Sequence, residues 1–145
     1  IGASFEDGGE AVSSKVAMDY CGMALQALAY YKDDSNQKAT INRIYDLIEK
    51  KIKKGKNGVD LGSCESIAQV ILGLSAMGVD IEKDKHFIKD KETLIDGMMK
   101  YAEDDGFAHI KGKPVNLLAS QQALMALDSF VLAKDNKLLM PKNVK

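Results

Sequence analysis

The chain has 145 residues, enough for one domain with a real core, and its 46% hydrophobic and 28% charged residues fit an ordinary globular protein. A net charge of −1 gives no global attraction for nucleic acid or an anionic membrane. The longest apolar run, Ile67–Met77, is interrupted by Gln69, Gly73 and Ser75 and falls short of the roughly 18–20 residues of a membrane span. The chain begins at Ile1 with no signal-peptide pattern, so it is expected to be a piece of a longer protein. Cys21 and Cys64 are too few for a disulfide framework. Two prolines and seven methionines suit a helical protein with a pliable core.

One helical pattern recurs at Ala17–Tyr31, Ser63–Gly78 and Asn116–Phe130. Its registers start at Ala24, Val70 and Ala123, so the copies are 46 and 53 residues apart. Each has large aliphatics at the second and fifth positions (Leu25 and Leu28, Ile71 and Leu74, Leu124 and Leu127). Each has a small residue at the fourth (Ala27, Gly73, Ala126). Helices apolar nearly all round are inner helices.

Outer, one-sided helices alternate with them. Ile41, Ile44, Tyr45, Ile48 and Ile52 form one stripe, with Asp46/Lys50 and Glu49/Lys53 as i, i+4 pairs, lysines in the last turn and Gly55 to close it. Leu94, Ile95, Met98, Met99 and Ala102 form a second, with Asp90 expected as its cap. Glu6-Asp7-Gly8-Gly9, Lys56-Asn57-Gly58-Val59 and Asp104-Asp105-Gly106-Phe107 read as turns ahead of the three inner helices, the first lacking its outer partner. Phe107–Ile110 is the best strand candidate and too short for a sheet. Residues 1–133 are expected to form one partial domain. The polar stretch 134–145 reads as a tail or linker.

The segments "AMDYCGMALQALAYYKDD", "SCESIAQVILGLSAMGVD" and "DDGFAHIKGKPVNLLASQQALMAL" resemble the α/α toroids of terpenoid cyclases and protein prenyltransferases. They look most like the prenyltransferase-like repeat domains of Gram-positive cell-surface proteins. The resemblance runs from about Phe5 to Phe130 and matches the C-terminal half of that domain. It implies an all-α fold, about half of an α/α toroid with inner and outer helices alternating. It also implies an extracellular or cell-surface location. The superfamily includes cobalamin carriers and thioester domains, so the fold alone fixes no function.

Each chemistry of the superfamily asks for particular residues. Zinc-dependent prenyl transfer needs Asp-x-Cys and a later His; Asp19-Tyr20-Cys21 supplies the first, but Leu118-Ala119-Ser120-Gln121 stands where His should be. Protonating cyclisation needs an Asp-rich acid motif, whereas Asp33-Asp34 and Asp104-Asp105 read as turn formers. A thioester needs Cys-Gly-Glu-Gln; Cys64-Glu65-Ser66-Ile67 and Cys21-Gly22-Met23-Ala24 both lack it. Neither a phosphate loop between Gly55 and Gly62 nor a nucleophile elbow is present. No catalytic residue, metal or cofactor is assigned. The lysines Lys50, Lys51, Lys53, Lys54 and Lys56 read as a solvated helix end, with an anionic polymer such as teichoic acid as the rival reading. A Cys21–Cys64 disulfide is not favoured, because bridged Cα atoms lie within about 7 Å and packed helices are about 8–10 Å apart.

The polar residues left on the inner helices are Asp19, aligned with Glu65, and Gln69, aligned with Gln122, with Tyr20, Ser66 and Gln121 beside them. They either bond helix to helix or line a polar pocket at the toroid mouth. Asp19, Tyr20, Glu65, Gln69, Gln121 and Gln122 are therefore the candidate ligand-binding residues. The favoured function is a non-enzymatic binding or interaction module, its partner an unknown ligand (in one version cobalamin-like) or a neighbouring domain of the parent chain. The rivals are a prenyltransferase- or cyclase-like enzyme completed by a missing half, and a structural spacer. Half a ring also predicts self-association through its open flank.

Overall fold

The structure is a computed structural model and describes residues 16–135. The turn at Glu6–Gly9 and all of the tail beyond Asp135 lie outside them. The fold is all-α: α1 (Val16–Leu28, continued as a 3-10 turn over Ala29–Tyr31), α2 (Lys38–Lys54), α3 (Cys64–Ala76), α4 (Leu94–Met99) and α5 (Leu117–Lys134). A two-residue hairpin, β1 (Ala102–Glu103) paired antiparallel with β2 (Gly106–Phe107), precedes α5. No described helix is long and apolar enough to cross a membrane.

Helices α1, α3 and α5 lie side by side with α3 in the middle, while α2 packs on α1 and α4 on α3. The three carry the repeated pattern, and two of them are capped by the first residue of their copy of it. Ser63 Oγ accepts from the Ser66 N–H, and Asn116 Oδ1 from the Ala119 N–H. Small residues set how close α1 and α3 come. A Cβ on Gly73 would sit 2.6 Å from the Gly22 carbonyl oxygen and 2.9 Å from the Leu25 Cβ. Gly78 ends α3 with φ +79°, its N–H donating to Ser75 O while the Val79 N–H donates to Leu74 O.

The outer helix α2 buries Ile41, Ile44, Ile48 and Ile52, with Tyr45 edge-on to Phe87 at 5.9 Å. Gly55 closes it through an N–H bond to Ile52 O. Lys53, expected to pair with Glu49, instead donates to Lys85 O and Ile88 O, pinning the following loop.

Helix α4 differs from expectation. Asp90 is not its cap; Asp90 and Lys91 sit in a left-handed turn, and Thr93 caps through a box with Asp96. The helix also stops at Met99, so Ala102 belongs to β1. Tyr101 turns inward and is buried, which carries the chain off the helix and into the hairpin. The strand candidate Phe107–Ile110 is reduced to β2 and a single bridge from Ala108 to Val115. Helix α5 runs on to Lys134, the first residue of the expected tail.

Candidate functional site

Helix α3 is buried almost throughout. Its partly exposed positions are Glu65, Gln69 and Ala76, spaced four and seven residues apart, which puts them on one line along the helix. The repeat places Asp19 and Met23 at the equivalent points of α1, and Leu118 and Gln122 at those of α5.

Across this line run three amides. Gln26 Nε2 donates to Gln69 Oε1 at 2.8 Å, and Gln69 Nε2 donates to Gln122 Oε1 at 3.2 Å. Gln26 Nε2 also reaches Gly22 O at 3.3 Å. The row ties together all three inner helices, and each bond is worth about 1 kcal/mol net. Sequence alignment finds Gln69 and Gln122 as a pair but misses Gln26, which aligns with Leu72 and Met125 and so carries no repeat signal.

Near the N-terminal end of the line the two aligned carboxylates behave differently. Glu65 is engaged: His109 Nδ1–H donates to both its oxygens, at 3.0 and 2.8 Å. The Cys64 N–H also donates to His109 O, so the turn ahead of α5 is fastened to the start of α3. Asp19 Oδ1 is buried and has no hydrogen-bond partner among the described residues. Counting from the turn glycines Gly58 and Gly106, the place of His109 is held in the earlier turn by Leu61, which offers no donor side chain.

A second network locks the same end. Asp60 accepts from Tyr101 OH and the Gly62 N–H, each at 2.9 Å, and from Lys111 Nζ, which also stands 5.6 Å above the Tyr101 ring. Burial raises the Asp60 carboxyl, but the bonds from Lys111, Gly62 and Tyr101 outweigh it and hold the group below the usual carboxylate range. Burial, then the bond to Asp60, pushes the Tyr101 hydroxyl well up.

Cys21 is fully buried, and burial pushes its thiol up to about 12. Cys64 is equally buried, its thiol pushed to about 12 by burial and Glu65. Both cysteines are free. Among the described residues no group of three or more His, Cys, Asp or Glu side chains could hold a metal ion. Tyr20 and Gln121, grouped with the candidates by sequence, point away from the amide row on the outer flanks of α1 and α5, both exposed. Asp34 serves a turn, accepting from the Asn36 N–H, and Asp104-Asp105 joins β1 to β2.

One cleft of about 440 Å³ opens elsewhere, between α2 and the loop after α3, lined by Tyr45, Asp46, Glu49, Asp84, His86 and Phe87 among others. Its charged groups are partly satisfied: the bond to Asp84 raises the His86 imidazole. No known protein family, curated protein or solved structure matches this chain.

Proposed function

We propose that the chain is a non-enzymatic binding or interaction module, folded as about half of an α/α toroid of the prenyltransferase-like kind and carried by a bacterial surface or secreted protein. The observation that supports the reading is the amide row Gln26–Gln69–Gln122, lying on the part-exposed line of α1, α3 and α5, with Asp19 Oδ1, which has no partner among the described residues, on the same line. Amides offer donors and acceptors together, which suits a polar, uncharged ligand such as a glycan or the amide-rich periphery of a cobalamin. The alternation of buried α1, α3 and α5 with one-sided α2 and α4 is what the toroid part of the reading rests on. A catalytic version is less favoured, because Cys21 and Cys64 are buried thiols and the Glu65–His109 pair is spent on holding a turn.

The test is thermal unfolding of the chain and of Gln69→Leu with cobalamin, a cell-wall glycan panel and an isoprenoid diphosphate. A ligand at about 100 times its Kd should stabilise the native chain by about 2.7 kcal/mol, and Gln69→Leu should remove that gain. An isoprenoid-only shift, or an equal shift in Gln69→Leu, would overturn the reading.

A further inference from the structure

Among the described residues, α1 and α5 are largely uncovered on opposite sides, and the repeat says what each of those sides would receive. Helix α1 turns Met18, Gly22, Leu25 and Ala29 toward α3, all buried. The equivalents on α3 are Cys64, Ala68, Ile71 and Ser75, also buried, and Cys64 Sγ lies 4.0 Å from Ala119 O of α5. On α5 the same four positions are Leu117, Gln121, Leu124 and Asp128, and all four are exposed, Leu117 at 85% and Leu124 at 59%. This is the face with which each inner helix receives the next.

The opposite face behaves in the same way. Helix α3 meets α1 through Ser66, Val70, Gly73 and Met77, and α5 meets α3 through Ala119, Ala123 and Ala126, all buried. Their equivalents on α1 are Tyr20, Ala24, Ala27 and Tyr31; Tyr20 and Tyr31 are exposed at 54% and 60% and Ala27 is exposed, while Ala24 is buried. Each end of the row therefore displays one half of an interface whose whole is built twice inside the chain.

We propose that copies of this chain associate head to tail, the α5 flank of one on the α1 flank of the next, in the register of the internal helix pairs. The occupant follows from continuity with those pairs. Leu25 of α1 sits over Gly73 of α3, a large residue over a small one. In the same register Leu124 falls over Ala27 of a second copy, Leu117 meets Tyr20, and the Asp128 carboxylate reaches Tyr31, whose hydroxyl can donate to it. Such a contact is heterologous: it uses two different surfaces, and it closes into a ring or extends according to the rotation per copy. The inference stands on the repeat geometry and is independent of the ligand reading.

Sedimentation and light scattering of the 145-residue chain across micromolar to millimolar concentration test it, with Leu124→Glu and Ala27→Glu as variants at exposed positions. The wild type is expected at twice its 15.8 kDa mass or above, and each variant as a folded monomer by circular dichroism. An equimolar mixture of the two variants should restore a dimer, since each keeps the flank the other has lost. A monomeric wild type at every concentration would overturn the proposal, as would an Ala27→Glu variant that still pairs, because that outcome means α5 against α5. A mixture that stays monomeric while the wild type associates would place the contact elsewhere and also overturn it.

Discussion

Helices α3 and α5 are written in the same pattern, yet α3 is buried on nearly every side while α5 buries little beyond Ala119, Ala123, Ala126 and Ser129. Ile71 and Leu124 occupy one repeat position; the first is sealed between two helices and the second faces solvent. The residue types do not make this difference. The neighbours do: where helices pack in a row each one's core is completed by the next, and α5 keeps a core-like sequence with a face that no described residue covers. The apolar flank of α5 is thus a property of position in the row.

That comparison can be broken by mutation. Ile71→Ala should cost about 2–5 kcal/mol of unfolding free energy, because it leaves a cavity the packed neighbours cannot fill. Leu124→Ala, measured at a dilution where the chain is monomeric, should cost less than about 0.5 kcal/mol. Urea denaturation of both variants reads the contrast. Equal losses would mean that α5 has a neighbour on its open face within a single chain.

A smaller effect sharpens the comparison at the helix starts, where α3 is latched through Asp60, Tyr101 and Lys111. The Asp60 carboxyl is held below its unfolded value, so its contribution is present above the unfolded pKa of about 3.9 and is lost as pH falls through the lower folded value. Tyr101→Phe removes one bond to that carboxylate and should cost roughly 1 kcal/mol near neutral pH. The gap between wild type and variant should narrow below about pH 4, as the wild type loses the charged acceptor. A gap that stays constant down to acid pH would show that the hydroxyl's bond to the ionised Asp60 does not carry the effect.

Much of the helical layout was legible in the sequence. The 46- and 53-residue intervals locate the three inner helices, and the isoleucine stripe from Ile41 to Ile52 locates α2. What escaped has physical reasons. The cap of α4 is Thr93 with Asp96, a box in which Asp stands for the usual Glu, so Asp90 drew attention instead. The break at Tyr101 depends on burial against residues far away in sequence. Within the candidate site, Gln69 and Gln122 were found because they repeat. Gln26 was missed because it does not, and His109 because its bond to Glu65 spans 44 residues. Tyr20 and Gln121 were grouped with the site through adjacency in sequence, but one step along a helix turns a side chain by about 100° and onto another face.

The most direct test of the repeat account uses a native pair of equivalent positions. Cys64 of α3 corresponds to Leu117 of α5, and the other thiol, Cys21, is buried in α1. In dilute native protein a thiol-specific reagent should leave Cys21 and Cys64 untouched until the chain unfolds, since both are enclosed and their thiols are pushed to about 12. The Leu117→Cys variant should titrate one additional thiol at the rate of an unhindered cysteine. Prompt reaction of Cys64, or protection of the cysteine at 117 in the dilute monomer, would contradict the account.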